Sequence, residues 1–323
     1  MMRKILNLFG EHLTREANDM LSQLGSVDSR VMTQAKLLEA IEPYDILFMG
    51  LYPEISRAVL DKAKHLKVIA AVTTNTSHID TSAGEKGIKI ISLKDEIDFL
   101  NTITGTAELA MGLIIDLLRK TPWAFEDVKH YHWRRDQFRG HNLYGKTLGI
   151  FGFGRLGTWM ARYGNAFNMN VIVHSPHIDV AECKKLNCRP VDFKTLLSES
   201  DIISINAHYT EETKNIFNMD AFKQMKKSAY IVNTAAGGIV EENDLVDALE
   251  QGVIAGYGAD VLADELHFDE GFSNNSLIEY AKTHENAIIV PHTGGMTHES
   301  REATDIFMAK KLVEYVIPLT IKV

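Results

Sequence analysis

Residues 145–167 read GKTLGIFGFGRLGTWMARYGNAF, and their pattern decides the fold of the segment around them. TLGIF (147–151) is a short β-rich apolar run. Gly152-Phe153-Gly154-Arg155-Leu156-Gly157 follows it as G-x-G-x-x-G, and a helix-forming stretch comes next. MNVIVHS (169–175) then supplies a second strand. The first glycine permits a tight turn, the second lets backbone approach a pyrophosphate, and the third lets helix and strand pack closely. The start of the helix presents oriented N–H groups to an anion. A lone glycine pattern says little. Framed by strand, helix and strand, it predicts a dinucleotide site.

Where the second strand ends, a dinucleotide fold usually carries an acid for the ribose hydroxyls. This chain has His174-Ser175-Pro176-His177 there. Ser175 can bond a ribose hydroxyl without repelling a 2′-phosphate, and His174 or His177 offers a weaker donor. No arginine stands nearby to clamp such a phosphate. The cofactor is therefore read as NAD or NADP, with NAD the first choice.

Outward from this unit the chain alternates strand and helix on both sides. KILNLFG, YDILFMG, KVIAAVTT and IKIISL read as strands in the first hundred residues, with EANDMLSQLG, TQAKLLEAIEP and ISRAVLDKAKHL as helices between them. This alternation predicts a parallel sheet covered on both faces. Thr104–Lys120, TGTAELAMGLIIDLLRK, is apolar around most of its surface and predicts a helix buried between domains or subunits. An arm rich in Trp, Tyr and His follows (121–142). A second alternating series runs from Lys146 to about Val290. The expected class is α/β with two doubly wound domains.

Composition sets the outer limits. The 323 residues suit two domains, and 45% apolar with 24% charged residues is ordinary for a soluble protein. A net charge of −9 argues against a nucleic-acid surface. The most basic stretch, HYHWRRDQFR (130–139), reads as a solvated arm, and His130-x-His132 lacks the partners of a metal site. Cys183 and Cys188 offer neither a disulfide framework nor a zinc set, which fits a reducing, cytoplasmic setting. MMRKILNLFGEHL is too briefly apolar for a secretory signal, and Leu109–Leu118, interrupted by Asp116, is too short to span a bilayer. No membrane, nucleic-acid or metal partner is expected.

Reduction of a carbonyl by a nicotinamide needs a proton donor, a group that tunes it, and donors that hold the substrate. AIIVPHTGGMTHES (287–300) places His292 after an apolar run and before a glycine pair. GYGADVLADEL (256–266) places Asp260 and Glu265 at another strand end. A carboxylate beside His292 raises its pKa and fixes its tautomer.

Several blocks, in fixed order over most of the chain, resemble the D-isomer-specific 2-hydroxyacid dehydrogenases. They are SHIDTSAGEKGIKI (77–90), TGTAELAMGLIIDLLRK, LYGKTLGIFGFGRLG (143–157), DIISINAHYTEETKNIFN (201–218), MKKSAYIVNTAAGGIVEENDLVDAL (225–249), GYGADVL and PHTGG (291–295). The resemblance implies a flavodoxin-like substrate domain (1–102 with 293–323), a Rossmann-type nucleotide domain (103–292) and an active site in the cleft between them. It implies that His292 moves the proton, that Glu265 pairs with it, and that Asp260 lies near the nicotinamide carboxamide. The cofactor would meet Gly152, Gly154, Arg155, Leu156, Gly157, Ser175, His177, His208, Thr213, Thr234, Ala235, Ala236, Asp260, His292 and Gly294. Asn75, Thr76 and Ser77 would hold the substrate carboxylate. A homodimer through the 104–120 helix and the 121–142 arm is likewise implied.

The departures are specific. The family pattern N-T-A-R-G-G reads Asn233-Thr234-Ala235-Ala236-Gly237-Gly238 here, so the substrate-gripping arginine is replaced by Ala236. Leu266 follows Glu265 where proline is usual, His208 replaces a proline, and Asn206 replaces a histidine. An arginine's planar fork of donors has no substitute in alanine. Three readings result: a dehydrogenase of small 2-oxo or 2-hydroxy acids with altered anchoring, served by another cation such as Arg134, Arg135 or Arg139; an enzyme inactivated at Ala236; or a catalytically silent NAD(P)-binding sensor or scaffold. Retention of His292 and Glu265 favours the first two.

Overall fold

The computed structural model describes residues 2–176, 178, 180–265 and 274–320. The chain divides into two compact units: residues up to Thr102 together with those from His298 on, and Ile103–Thr297.

The first unit is built on five parallel strands, β1 (Arg3–Asn7), β2 (Gly25–Ser29), β3 (Ile46–Met49), β4 (Val68–Ala71) and β5 (Lys89–Ser92), in the order β2-β1-β3-β4-β5. This is the flavodoxin-like order. The alternation of side chains along a strand divides its core into two. Ile46 and Phe48 of β3 join Val68 and Ala70 of β4 on one face, while Leu47 and Met49 join Ile69 and Ala71 on the other. A central strand buried on both faces must be apolar throughout, as ILFM and VIAA are. Strand β2, GSVDS, is not foreseen by hydrophobic pattern, because it lies at the sheet edge and is only partly buried. The helix His298–Thr320 belongs to this unit, with Met308, Ala309, Leu312 and Val316 packed beside Ile5 and Phe48. Arg301 on that helix lies over the Phe9 ring at 4.4 Å, and Lys311 donates to the Ser92 carbonyl.

The second unit holds seven parallel strands: β6 (Thr147–Phe151), β7 (Asn170–His174), β8 (Arg189–Pro190), β9 (Ile202–Ile205), β10 (Tyr230–Asn233), β11 (Gly256–Ala259) and β12 (Ala287–Ile289). Their order is β12-β11-β10-β9-β6-β7-β8. The chain thus winds outward in both directions from β6. The crevice between β6 and β9 is the switch point at which doubly wound sheets bind ligands. The helix Gly105–Arg119 packs its buried face on this unit's own sheet, so its apolar surface is accounted for within the unit. Leu113 and Leu117 stand where a side chain at Gly258 would project. Within the arm, Thr121–Lys129 is a helix opened by Pro122, a residue pre-set for the first helical turn, and Arg135–Phe138 is a single 3₁₀ turn.

The second unit keeps residues 293–297, so the return to the first unit comes at His298 and not at 293. Asp260 is the reason. Its carboxylate accepts from the N–H of Thr293 at 2.6 Å and of Gly294 at 2.8 Å, tying that turn to the end of β11.

Candidate active site

The glycine loop leaves β6 between β7 and β9, whose ends pair with Phe151. Its three glycines have separable reasons. Gly152 has φ +95°, and a Cβ there would lie 2.6 Å from the Ala207 nitrogen. Gly157 is closed in by the Gly152 carbonyl oxygen, 2.2 Å from its would-be Cβ. Gly154 is exposed and has open space at the same point. A glycine required neither by a neighbour nor by left-handed backbone is one kept clear for something outside the chain. Gly154 also caps the helix Arg155–Ala166 without a side-chain hydrogen bond to its first turn. Two buried polar atoms close by lack partners: Asn206 Oδ1, one residue beyond β9, and Thr234 Oγ1, one residue beyond β10. Buried oxygens in this state ordinarily have an explanation in a ligand or water. The loop and these atoms fit a dinucleotide.

His292 follows β12. Its Nδ1 lies 2.6 Å from Glu265 Oε1, and its main-chain N–H donates to the Asp260 carbonyl at 2.9 Å. Its φ of +52° is left-handed, an uncommon conformation outside glycine that the Asp260 and Glu265 bonds hold in place. Burial lowers the imidazole pKa, but the Glu265 hydrogen bond and charge, with the Asp260 charge, override it, and the net shift is upward. Asp260 itself is buried, which raises its carboxyl pKa against the pull of the Gly294 and Thr293 N–H groups. With Nδ1 committed to Glu265, Nε2 is the ring nitrogen available to exchange a proton.

Glu265 is held in turn. Its Oε2 accepts from the Leu262 N–H at 3.2 Å, and Glu242 accepts from the N–H of Ala263 at 2.8 Å. The backbone of Leu262 and Ala263 lies against Gly237, where a Cβ would come within 2.0 Å of the Leu262 carbonyl carbon. Gly237 is small because the segment carrying Glu265 passes directly over it, whereas Gly238 faces the Tyr209 ring. Glu242 was not foreseen as part of this support; it looks like a solvated helix-start acid until the fold brings residue 263 to it.

Other expected cofactor residues divide. Arg155 is partly buried and donates to the Ile103 carbonyl at 2.5 Å, so its guanidinium serves the loop's anchorage; burial lowers its pKa. Leu156 packs against the core under the helix Gly105–Arg119. Ala235 and Ala236 rest on the core beneath β10, and the Ala236 carbonyl accepts from Asn233 Nδ2 at 2.9 Å. Thr213 is committed to its own turn: its hydroxyl donates to the His208 carbonyl at 2.8 Å and accepts from the Thr210 N–H at 2.8 Å. His208 is exposed. His174 points Nδ1 at the Val191 carbonyl, 3.1 Å away, and stacks on Phe151, so that nitrogen is engaged within the unit. Ser175 ends β7 as expected, whereas His177 lies outside the described residues, as does Leu266.

In the first unit, the 73–78 turn is organised by Asn75, whose Oδ1 accepts from the Ser77 N–H at 2.8 Å. Ser77 is therefore already used as a donor, while the N–H groups of Asn75 and Thr76 make no bond among the described residues. Arg134, one of the candidate substitute cations, is engaged within the arm. That side chain is paired with buried Asp127, whose pKa the Arg134 hydrogen bond, with His132, brings down to about 2. Arg135 and Arg139 both lie beside Asp136. Among the described residues no group of His, Cys, Asp and Glu could hold a metal ion, and no helix is long and apolar enough to cross a membrane.

Residues 111–294 match the family model for the NAD-binding domain of D-isomer-specific 2-hydroxyacid dehydrogenases. The chain belongs to this family. Glyoxylate reductase of Thermococcus litoralis is 32% identical over 296 residues, covering 89% of this chain and 85% of that one. D-3-phosphoglycerate dehydrogenase of Methanocaldococcus jannaschii is 33% identical over 308 residues, 94% of this chain; the match spans only 56% of that protein. The chain thus spans little more than half the length of that relative. Among solved structures, D-lactate dehydrogenase of Aquifex aeolicus with NAD and lactic acid superposes with a TM-score of 0.84 at 25% identity, over 97% of this chain and 95% of that one. The family's two-unit α/β architecture, with a Rossmann nucleotide-binding unit, is therefore that of this chain.

Proposed function

We propose that the protein is a nicotinamide-dependent oxidoreductase interconverting small 2-oxo and 2-hydroxy acids, with NAD preferred over NADP. The observation that carries this reading is the His292–Glu265 pair, held at 2.6 Å in the same unit as the open glycine loop. His292 follows β12, Asp260 follows β11, Thr234 follows β10 and Gly152 follows β6. All four therefore sit at the C-terminal edge of one parallel sheet, where such sheets carry their ligands. Gly152, Gly154 and Gly157 would hold the cofactor's pyrophosphate, and Asn206 and Thr234 offer it buried oxygens.

When bound, the reduced cofactor supplies the hydride. Everything else falls to the protein. His292 enters protonated, donates Nδ1–H to Glu265, and passes the Nε2 proton to the carbonyl oxygen as negative charge develops there. Glu265 fixes the ring's tautomer and steadies its positive charge. Asp260 fixes the turn that carries His292. A pair of this kind has no purpose in a protein that only binds nucleotide. Ala236 is the observation favouring the second reading, a silent NAD(P)-binding sensor, because loss of an oxyanion donor typically costs about 10²–10³ in rate.

The test is consumption of reduced cofactor with a panel of 2-oxo acids. Turnover that vanishes in His292→Ala supports the enzyme. Tight cofactor binding without turnover on any acid, even in Ala236→Arg, would favour the sensor. We further propose a homodimer through the 104–120 helix and the 121–142 arm, since Phe125, Tyr131 and Trp133 of the arm lie exposed close together in sequence and such apolar surface is seldom left to water. A monomeric mass in solution would contradict that assignment. Cys183 and Cys188 form no disulfide, in agreement with a reducing cytoplasmic location.

A further inference from the structure

The chain's two cysteines, Cys183 and Cys188, are brought together by a helix ending. Cys183 lies on the short helix Val180–Lys185. Asn187, just beyond it, has φ +46°, a left-handed backbone that asparagine tolerates better than most residues. Its N–H donates to the Lys184 carbonyl at 3.2 Å, and the Cys188 N–H donates to the Cys183 carbonyl at 2.9 Å. Two such bonds around a left-handed residue form the Schellman ending of a helix, whose first and last side chains characteristically meet. Here both of those side chains are thiols.

The contact is visible from the sulfur side as well. Cys188 Sγ lies 3.3 Å from the Cys183 carbonyl oxygen, and both side chains are buried in one cluster with Ala161, Val171 and Val173. Burial, and then the Cys183 thiol beside it, push the Cys188 thiol up to about 12. The 2.9 Å bond limits the two Cα atoms to a separation of about 6.8 Å at most, within the span of a disulfide. Lys184, Lys185, Asn187 and Arg189 are exposed around the pair, so the thiols lie one layer below the surface. The turn is fastened to a neighbour: Asn165 Nδ2 donates to the Leu186 carbonyl at 2.6 Å, and Asn187 Nδ2 to Asn165 Oδ1 at 3.2 Å. Asn165 stands on the helix Arg155–Ala166, which begins at the glycine loop.

We propose that Cys183 and Cys188 are a reversible redox modification site, closing to a disulfide across the helix end when a small-molecule disulfide is the oxidant. The Cys188 sulfur, the less deeply buried of the two, attacks one sulfur of oxidised glutathione. A mixed disulfide forms and one glutathione leaves. The Cys183 sulfur then attacks Cys188 Sγ and the second glutathione leaves. The protein loses two electrons and two protons, and one glutathione disulfide becomes two glutathione thiols. In a reducing compartment such a bond is transient and serves redox sensing, not architecture.

The test is incubation of the whole folded protein with oxidised glutathione, then digestion without reductant and mass spectrometry. The expected product is a single chain lighter than the reduced one by two hydrogens, giving one peptide pair joined at Cys183 and Cys188. Dithiothreitol is expected to restore both thiols. Because the thiolate is the attacking form, the rate should rise about ten-fold for each unit of pH through the neutral range. A bond that suits the existing turn should raise the melting temperature of the oxidised protein by about 2–8 °C. Cys183→Ser is expected to stop at one bound glutathione. Three results would each overturn the proposal: both thiols still free after oxidised glutathione at alkaline pH, a bond between two chains, or an oxidised protein that melts lower than the reduced one.

Discussion

Gly237→Ala is the most exacting test of how the candidate site is held together. A Cβ at Gly237 would stand 2.0 Å from the Leu262 carbonyl carbon, 2.2 Å from the Ala263 nitrogen and 2.4 Å from the Leu262 oxygen. All three are backbone atoms, so no rotamer change relieves the clash. Ordinary contact begins at 3.4 Å, and taking 2.0 Å to 3.4 Å requires 1.4 Å of displacement. The moving segment carries Glu265, which is fastened to it by the Leu262 N–H. A shift of that size stretches the 2.6 Å His292–Glu265 bond beyond hydrogen-bonding range. Overpacking of this kind costs about 1–3 kcal/mol of stability, and a misplacement near 1 Å about 10²-fold in rate.

The assay pairs thermal denaturation with the pH dependence of carbonyl reduction and an NMR titration of His292. The expected variant is folded, less stable and slow, with its His292 pKa moved back down because the Glu265 contribution is lost. Gly238→Ala is the control. There a Cβ meets the Tyr209 ring at 2.7 Å, the far end of an exposed side chain that can swing away. Gly238→Ala is therefore expected to resemble the wild type. A Gly237→Ala protein with unaltered melting temperature, rate and His292 titration would refute the claim that segment 262–265 is seated on Gly237.

Glu265→Gln keeps the shape of the pair and removes its charge. Because Glu265 raises the His292 pKa, the protonated form should be lost at lower pH than in the wild type, and the alkaline fall in reduction rate should move to lower pH with it; an unmoved profile contradicts the pairing. Gly154→Ala and Gly157→Ala should part company: the first keeps its melting temperature and loses cofactor affinity in calorimetry, whereas the second meets the Gly152 oxygen and loses about 1–3 kcal/mol of stability as well. Asp305 is fully buried beside Arg301, and burial pushes its carboxyl up to about 6. A carboxyl raised in the folded state costs stability as pH climbs from its unfolded value of 3.8 to about 6, here about 3 kcal/mol, so denaturant titrations of Asp305→Asn should show that loss removed. His78 has the opposite sign, since burial lowers it to about 4 and stability falls as pH drops below 6.5 through that value; the two limbs mask one another unless one is mutated.

The parts of the fold legible in sequence were those whose physics is local. TLGIF-GFGRLG announces itself because each glycine answers a constraint set within the same strand–turn–helix unit. ILFM and VIAA are legible because strands buried on both faces have no freedom to be polar. GSVDS was illegible for the converse reason: at a sheet edge, half exposed, its composition is that of a loop. The arm's helix, TPWAFEDVK, was hidden by its weak segregation of apolar residues, four of its nine being exposed or half exposed aromatics and aliphatics. Thr213 shows the limit for the site. The family resemblance implies that it meets the cofactor, whereas in this structure the turn engages its hydroxyl as donor to His208 and acceptor from Thr210, a local pairing no sequence pattern states.

Ala236 can be weighed more closely with the fold known. An exchange at this position does not disturb the proton-transfer pair, because Glu265 is held by Leu262 and Gly237, and His292 by Asp260. The His292–Glu265 pair and position 236 are therefore held by different contacts. A site of this construction can change which molecule it accepts without losing the reaction it performs. Here the costly features remain: a histidine at φ +52°, a glycine that admits no Cβ, and a buried aspartate spending both oxygens on one turn. Each is unfavourable on its own and is sustained by the others.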